Sequence, residues 1–350
     1  MTLPSPAQPP APGPKRRRWG RVVLVVVLAA ITVPAWQIFT YQRAVRQLRE
    51  AGIIAVSENV RELAWWNTVR EAWRPLLQTG ESEAETDVWR MAHAKTSELR
   101  NLDVVTPALR RVGARVLFLT NCRTLQNLDA LKGLATLTRL NLSECMALQN
   151  VDGIRGLATL TDLNLSGCGA LQNVDGLKGL ATLTDLNLSG CKALQNVDGL
   201  DGLVALTFLD LSFCESLQNV DGLKGPTGLK QLYIVHCKIL GNIDGLKRLA
   251  LLERLYLGHC AKLQDVNALK ELTALADLSL RDCESLQNVD GLKGLPALKA
   301  LNLEGCESLQ NVDALKGLPA LEKVILSGCP KLSPESLAAL KAALPNVVWR

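Results

Sequence analysis

Residues 160–182 read LTDLNLSGCGALQNVDGLKGLAT, from Leu160 to Thr182. In Leu163-Asn164-Leu165 two leucines flank one polar residue, the alternation of a half-buried strand. Further on, Asp175-Gly176-Leu177-Lys178-Gly179 holds two glycines, which argue against a full α-helix. A short turn or 3-10 segment is expected there instead. Working outward, the unit recurs. The ten cysteines stand at 122, 145, 168, 191, 214, 237, 260, 283, 306 and 329, and every gap is 23 residues. A fixed period of this size marks a solenoid, because each unit buries its apolar face only against its neighbours. No CxxC pair occurs, and neither a zinc site nor a disulfide framework needs such spacing.

The repeat L-x-x-L-x-L-x-x-C-x-x-L-Q-N-V-D-G-L-K-G-L resembles the leucine-rich repeat family, in the short bacterial form seen in internalin-like proteins. Cys stands where Asn is commoner. Residues 112–332 hold about ten units, with Ala114 and Val324 as departures at leucine positions. The resemblance implies a curved parallel β-sheet on the concave side and turns or 3-10 segments on the convex side. It also implies a non-enzymatic, protein-binding role. With strands ~4.8 Å apart, the first and last units lie ~43 Å apart before curvature.

The other columns have structural readings. Each Cys follows the strand and is expected to point inward as a small apolar filler with a weak S–H donor. Inward Cβ atoms ~4.8 Å apart are too distant for a relaxed disulfide, so free buried thiols are predicted. The Asp column (Asp129, Asp152, Asp175, Asp198, Asp221, Asp244, Asp290, Asp313) is expected to cap the convex turns, with a Lys column offsetting its charge. A calcium ladder would need several converging oxygens per ion, which one carboxylate per unit does not supply.

Apolar residues make up 48% of the 350-residue chain and aromatics only 4%, so aliphatic side chains build the core. Residues 1–50 carry eight basic groups and one acid, leaving 31 basic and 33 acidic groups for the rest. No basic footprint for nucleic acid exists beyond the N-terminus. Three histidines and no cluster of unlike reactive residues argue against an enzyme, and no cofactor is called for.

Residues 1–21 read as a Pro-rich, then basic, disordered cytoplasmic tail. The apolar run Val22–Phe39 follows Lys15-Arg16-Arg17-Arg18, so residues 22–41 are expected to be a transmembrane signal anchor. The repeats would then be periplasmic or extracellular. The alternative is a signal peptide cut after Ala35, giving a secreted protein. Residues 42–111 are expected to form a mostly helical cap, with helices over 44–51, 59–78 and 86–100. Ser333 and Pro334 open a C-terminal cap helix through about Ala343, and Val347–Trp349 is expected to add a last strand.

The outward strand positions in the third and fourth units are small and polar: Asp162, Asn164, Ser166 and Asp185, Asn187, Ser189. Units five to seven depart from this with Phe208, Asp210, then Gln231, Tyr233, then Arg254, Tyr256. The position before each Cys there carries Phe213, His236 and His259. Aromatics and Arg are the usual anchors of interfaces, so these nine residues form the candidate site for a protein or peptide ligand. A structural envelope protein that self-associates through its repeat faces is the alternative. His236, His259 and Asp282 share one column and form a weak candidate zinc or copper site.

Overall fold

The computed structural model describes residues 102 and 106–349, together with the backbones of Ile53–Val56 and Val88–Met91. One sheet runs through it in chain order, strand beside strand. Its strands are β1 (Ile53–Val56), β2 (Val88–Met91), β3 (Val116–Phe118), β4 (Arg139–Asn141), β5 (Asp162–Asn164), β6 (Asp185–Asn187), β7 (Phe208–Asp210), β8 (Gln231–Tyr233), β9 (Arg254–Tyr256), β10 (Asp277–Ser279), β11 (Ala300–Asn302), β12 (Lys323–Ile325) and β13 (Val348–Trp349). The eleven strands from β3 to β13 are parallel, β2 joins β3 in parallel, and β1 pairs antiparallel with β2. Helix α1 (Thr106–Val112) precedes β3, and α2 (Pro334–Ala343) lies between β12 and β13.

The 23-residue spacing sets the register. Leu163 pairs with Leu186, Leu186 with Leu209, Leu209 with Leu232 and Leu232 with Leu255. The middle residue of each three-residue strand therefore faces one continuous core, and all five of these leucines are buried. This is the leucine-rich repeat solenoid that the period implies.

Cysteines 122 to 306 are fully buried, Cys329 is half-buried, and all ten are free thiols. Each from Cys145 onward donates its S–H to the carbonyl of the residue 26 positions earlier, as in Cys237 Sγ to Leu211 O at 3.2 Å. A methyl in place of sulfur would fill the space but leave that carbonyl one donor short. Burial pushes the Cys214 thiol up to about 12, which keeps it protonated and unreactive.

The convex turns correct one expectation. Each Asp begins a 3-10 segment, such as Asp175–Leu177, but makes no side-chain cap. The Asn two residues earlier does this instead: Asn173 Oδ1 accepts from the Asp175 N–H at 3.2 Å, and the same bond recurs along the array. An Asx turn reaches the N–H two residues on without disturbing the strand before it. Six of the eight Asp carboxylates pair with the basic residue three positions later, as in Lys178 to Asp175 at 2.7 Å, whereas Asp198 has Asp201 there. These pairs are exposed, so they balance charge more than they stabilise.

Val88–Met91 was expected inside a helix and is a strand. The segment pairs in parallel with the edge of β3, where ladder hydrogen bonds outweigh a local helical period. The expected helices over 44–51 and 59–78 lie outside the described residues. Leu102 and Leu109 join the buried core beside the first repeat. At the far end, Ser333 Oγ accepts from the Ser336 N–H at 3.1 Å and caps α2. Among the described residues no helix is long and apolar enough to cross a membrane; residues 22–41 lie outside them.

Candidate functional site

Two rows of side chains run along the concave sheet. The first is built on β7 to β10. Register pairs Asp210 with Tyr233 and Tyr233 with Tyr256, while Phe208 sits opposite Gln231. The Tyr233 and Tyr256 rings stack with centroids 4.8 Å apart and planes 16° apart. Phe208 tilts diagonally onto Tyr233 at 5.6 Å and 46°. The Tyr256 hydroxyl donates to Asp277 Oδ2 at 2.7 Å and closes the row. Burial, then that hydrogen bond to Asp277, pushes the Tyr256 hydroxyl up to about 12. In four other units this position is Asn (Asn141, Asn164, Asn187 and Asn302), whose side chain makes an Asx turn, as in Asn164 Oδ1 accepting from Ser166 N–H at 2.9 Å. Tyr233 and Tyr256 replace that turn with ring surface.

The second row stands at the residue before each Cys. Its backbone is left-handed throughout, with φ of 74° and 75° at Gly167 and Gly190 and 71° and 73° at Gly305 and Gly328. Between these glycines come Phe213 (60°), His236 (61°), His259 (59°) and Asp282 (54°). Side chains rarely adopt this conformation because Cβ crowds the carbonyl oxygen. Asp and His tolerate it better than most; Phe does not. Asn121 and Glu144 share the conformation in the first units. Phe213 stacks on His236 at 4.7 Å, and His236 on His259 at 4.0 Å with planes 6° apart. His259 Nε2 lies 3.4 Å from Asp282 Oδ2, which Arg281 also approaches at 3.1 Å. Partial burial, then the neighbouring His259, holds His236 below the usual imidazole range.

The strain at this row is measurable. Phe213→Gly is expected to be more stable than Phe213→Ala by about 1 kcal/mol, since both lose the ring and only Ala keeps the crowded Cβ. The same order is expected at His236. Urea denaturation of the four variants checks it, and equal stabilities within each pair would refute the strain.

The nine sequence-selected residues thus fall into distinct roles. Phe208, Tyr233 and Tyr256 form one ladder, and Phe213, His236 and His259 the other. Phe213 is exposed, 48% accessible, rather than turned inward. Gln231 and Arg254 are register neighbours in the column between Phe208 and Asp277. Asp210 Oδ1 accepts from the Ser212 N–H at 2.8 Å, which is a turn-forming role. Among the described residues no group of three His, Cys, Asp or Glu is arranged to hold a metal ion. Rings stacked face to face direct their in-plane nitrogen lone pairs along parallel lines, not toward one ion.

Sequence reasoning missed Asp277 as the partner of Tyr256, although it shares a column with Arg254. It also missed a groove beside the ladders. Phe118, Arg139, Asn141, Asp162, Asn164, Asp185, Asn187 and Phe208 line this groove across β3 to β7. The small polar residues of the third and fourth units are its floor, between phenylalanines at both ends.

Comparison with known proteins bears on the fold. No curated protein matches the chain. Among solved structures, an internalin (inlF) from Listeria monocytogenes is 18% identical, with TM-score 0.46, over 80% of this chain and 93% of that one. An internalin C2 (inlC2) from the same organism is 26% identical, with TM-score 0.41, over 53% of this chain and 76% of that one. A TLR13–ssRNA13 complex is 21% identical, with TM-score 0.41, over 71% and 48%. No catalytic family is indicated. The family described as BspA type leucine rich repeat region, in six copies, matches residues 116–214 and 211–333. That match spans more than half of the chain and coincides with the strands and turns described above, so the chain belongs to the BspA-type leucine-rich repeat family.

Proposed function

We propose that this repeat protein is a non-catalytic binding module whose concave face captures a protein or peptide. The observation that carries this reading is the double aromatic ladder. Two adjacent units place Tyr where four others keep a turn-forming Asn, and three place Phe or His where four others keep a left-handed Gly. The six rings are already ordered by four ring contacts, so little entropy is lost on binding. Leucine-rich repeat domains generally mediate protein interactions, which supports the same reading.

The test compares the native chain with Phe208→Ala/Tyr233→Ala/Tyr256→Ala, after circular dichroism shows that both fold alike. Each is used to capture partners from native extract, with affinities then measured for the partner identified. Loss of the three rings is expected to weaken binding by about 100-fold or more, as for clustered interface anchors. A partner retained at unchanged affinity moves the site away from the ladders. Capture of the chain by itself alone, surviving the triple variant, supports a self-associating envelope protein instead.

The proposal extends to location. The basic cluster Lys15–Arg18 before an apolar run supports anchoring through residues 22–41, with the repeats on the far side of the membrane. A reporter fused after Arg350 is expected to be active only in its export-dependent form. Activity of the cytoplasmic form alone would reverse the topology.

A further inference from the structure

Asp162 and Asp185 stand directly opposite each other in the register of β5 and β6. Like charges facing across a ladder destabilise a sheet, and the remedy differs at the two positions. Asp162 has Arg139 Nε 3.6 Å from its Oδ1. Asp185 pairs with no Lys or Arg among the described residues, and its carboxylate is held only by Thr184, whose hydroxyl donates to Oδ2 at 2.7 Å. The outward strand positions of three successive units thus carry Asp162, Asp185 and Asp210 and no base. Asp210 is occupied by its own turn. Arg139 adjoins this acidic stretch from the unit before it, and on the other side the β8 unit separates it from Arg254.

Phe208 is the register neighbour of Asp185 and lines the same groove. Its ring tilts onto Tyr233 on the side of β8, while the β6 side borders the groove. A ring beside a carboxylate with an open oxygen suits one kind of group. A guanidinium is planar, stacks on an aromatic face and donates two N–H bonds to a carboxylate at once; an ammonium does neither of the last two as well. Asn164 and Asn187 use their Oδ1 atoms in Asx turns, which leaves their amide NH2 groups as donors for peptide carbonyls along the groove.

We propose that the groove between Phe118 and Phe208 seats an arginine side chain of an extended peptide, with its guanidinium against Phe208 and paired to Asp185. This rests on the reading of the concave face as a peptide-binding surface and adds the chemistry of the ligand. The ladders then hold the apolar part of the same peptide, and Arg139 disfavours a second cation beside Asp162.

The full chain is panned against a random nonapeptide library, and the strongest peptides are synthesised with each arginine or its neutral isostere citrulline. Selected peptides are expected to be enriched in arginine. Replacing that arginine with citrulline should weaken binding at least about tenfold, and Asp185→Asn should do the same for the arginine peptide. The two losses should not add, because each removes the same ion pair. Phe208→Leu, which keeps an apolar side chain, should weaken the arginine peptide about fivefold through loss of the ring face. Matching thermal melts guard against a folding effect. Peptides that bind but are indifferent to citrulline or to Asp185→Asn would overturn the arginine seat and leave the concave reading standing. Lysine peptides that bind as tightly would overturn the guanidinium preference. Failure to select any peptide would sink the concave peptide-binding reading, and the seat with it.

Discussion

Gly199→Val is expected to break the solenoid into two unfolding units. A Cβ built on Gly199 falls on the backbone carbonyl of Val174 in the preceding repeat. That carbonyl also accepts the Leu177 N–H at 2.9 Å, the bond that closes the neighbouring 3-10 turn. A side chain there must push two repeats apart or open the turn. Ala268 and Ala314 occupy the same column in other units, so a single methyl is accommodated when the turns adjust. Valine adds two more methyls beyond that allowance, and overpacking of this kind costs about 3 kcal/mol. Because repeats touch only their neighbours, the loss falls on one interface. Urea denaturation should show two transitions where the native chain shows one. Gly202→Ala is the control: φ is +87° and nothing lies near the added Cβ, so only backbone strain of about 1 kcal/mol is expected. A single Gly199→Val transition at the native midpoint would refute the close stacking.

Leu232→Ala is expected to cost about 3–5 kcal/mol. Leu232 is fully buried at the middle of β8, between Leu209 and Leu255 in the same column. Repeats on both sides are held by their own leucines, so the cavity cannot collapse easily. Leu321, near the end of the array and 8% accessible, provides the contrast. There the last units can fray, and Leu321→Ala should cost about 2 kcal/mol or less. Chemical denaturation with a probe at each end separates the two. Equal costs would mean that the array unfolds as one unit with no weak end.

How much was legible in the residues differs between fold and site. A period of 23 residues with L-x-L alternation dictates a stack of short parallel strands, because no other arrangement buries every leucine column at once. The inward cysteines followed from the same pattern, as did the N-cap Ser333 before Pro334. Val88–Met91 did not, because its strand exists only through the edge of β3 beside it. Nor did the turn chemistry: Asn and Asp are both acceptable caps in isolation, and only the backbone path shows that Asn173 reaches the Asp175 N–H while Asp175 turns to Lys178.

For the site, the sequence determined which residues share a column, since repeats place matching positions side by side. It therefore located Phe208, Tyr233, Tyr256, Phe213, His236 and His259 within three adjacent units. Only the tertiary structure decided what those columns become. Left-handed backbone at the second row turned two histidines and a phenylalanine into a face-to-face stack. The groove over Asp162 and Asp185 likewise exists only when five strands lie together. A one-dimensional pattern fixes neighbours along the stack, but the direction of a side chain is set by backbone torsion and by the side chains packed on each side of it.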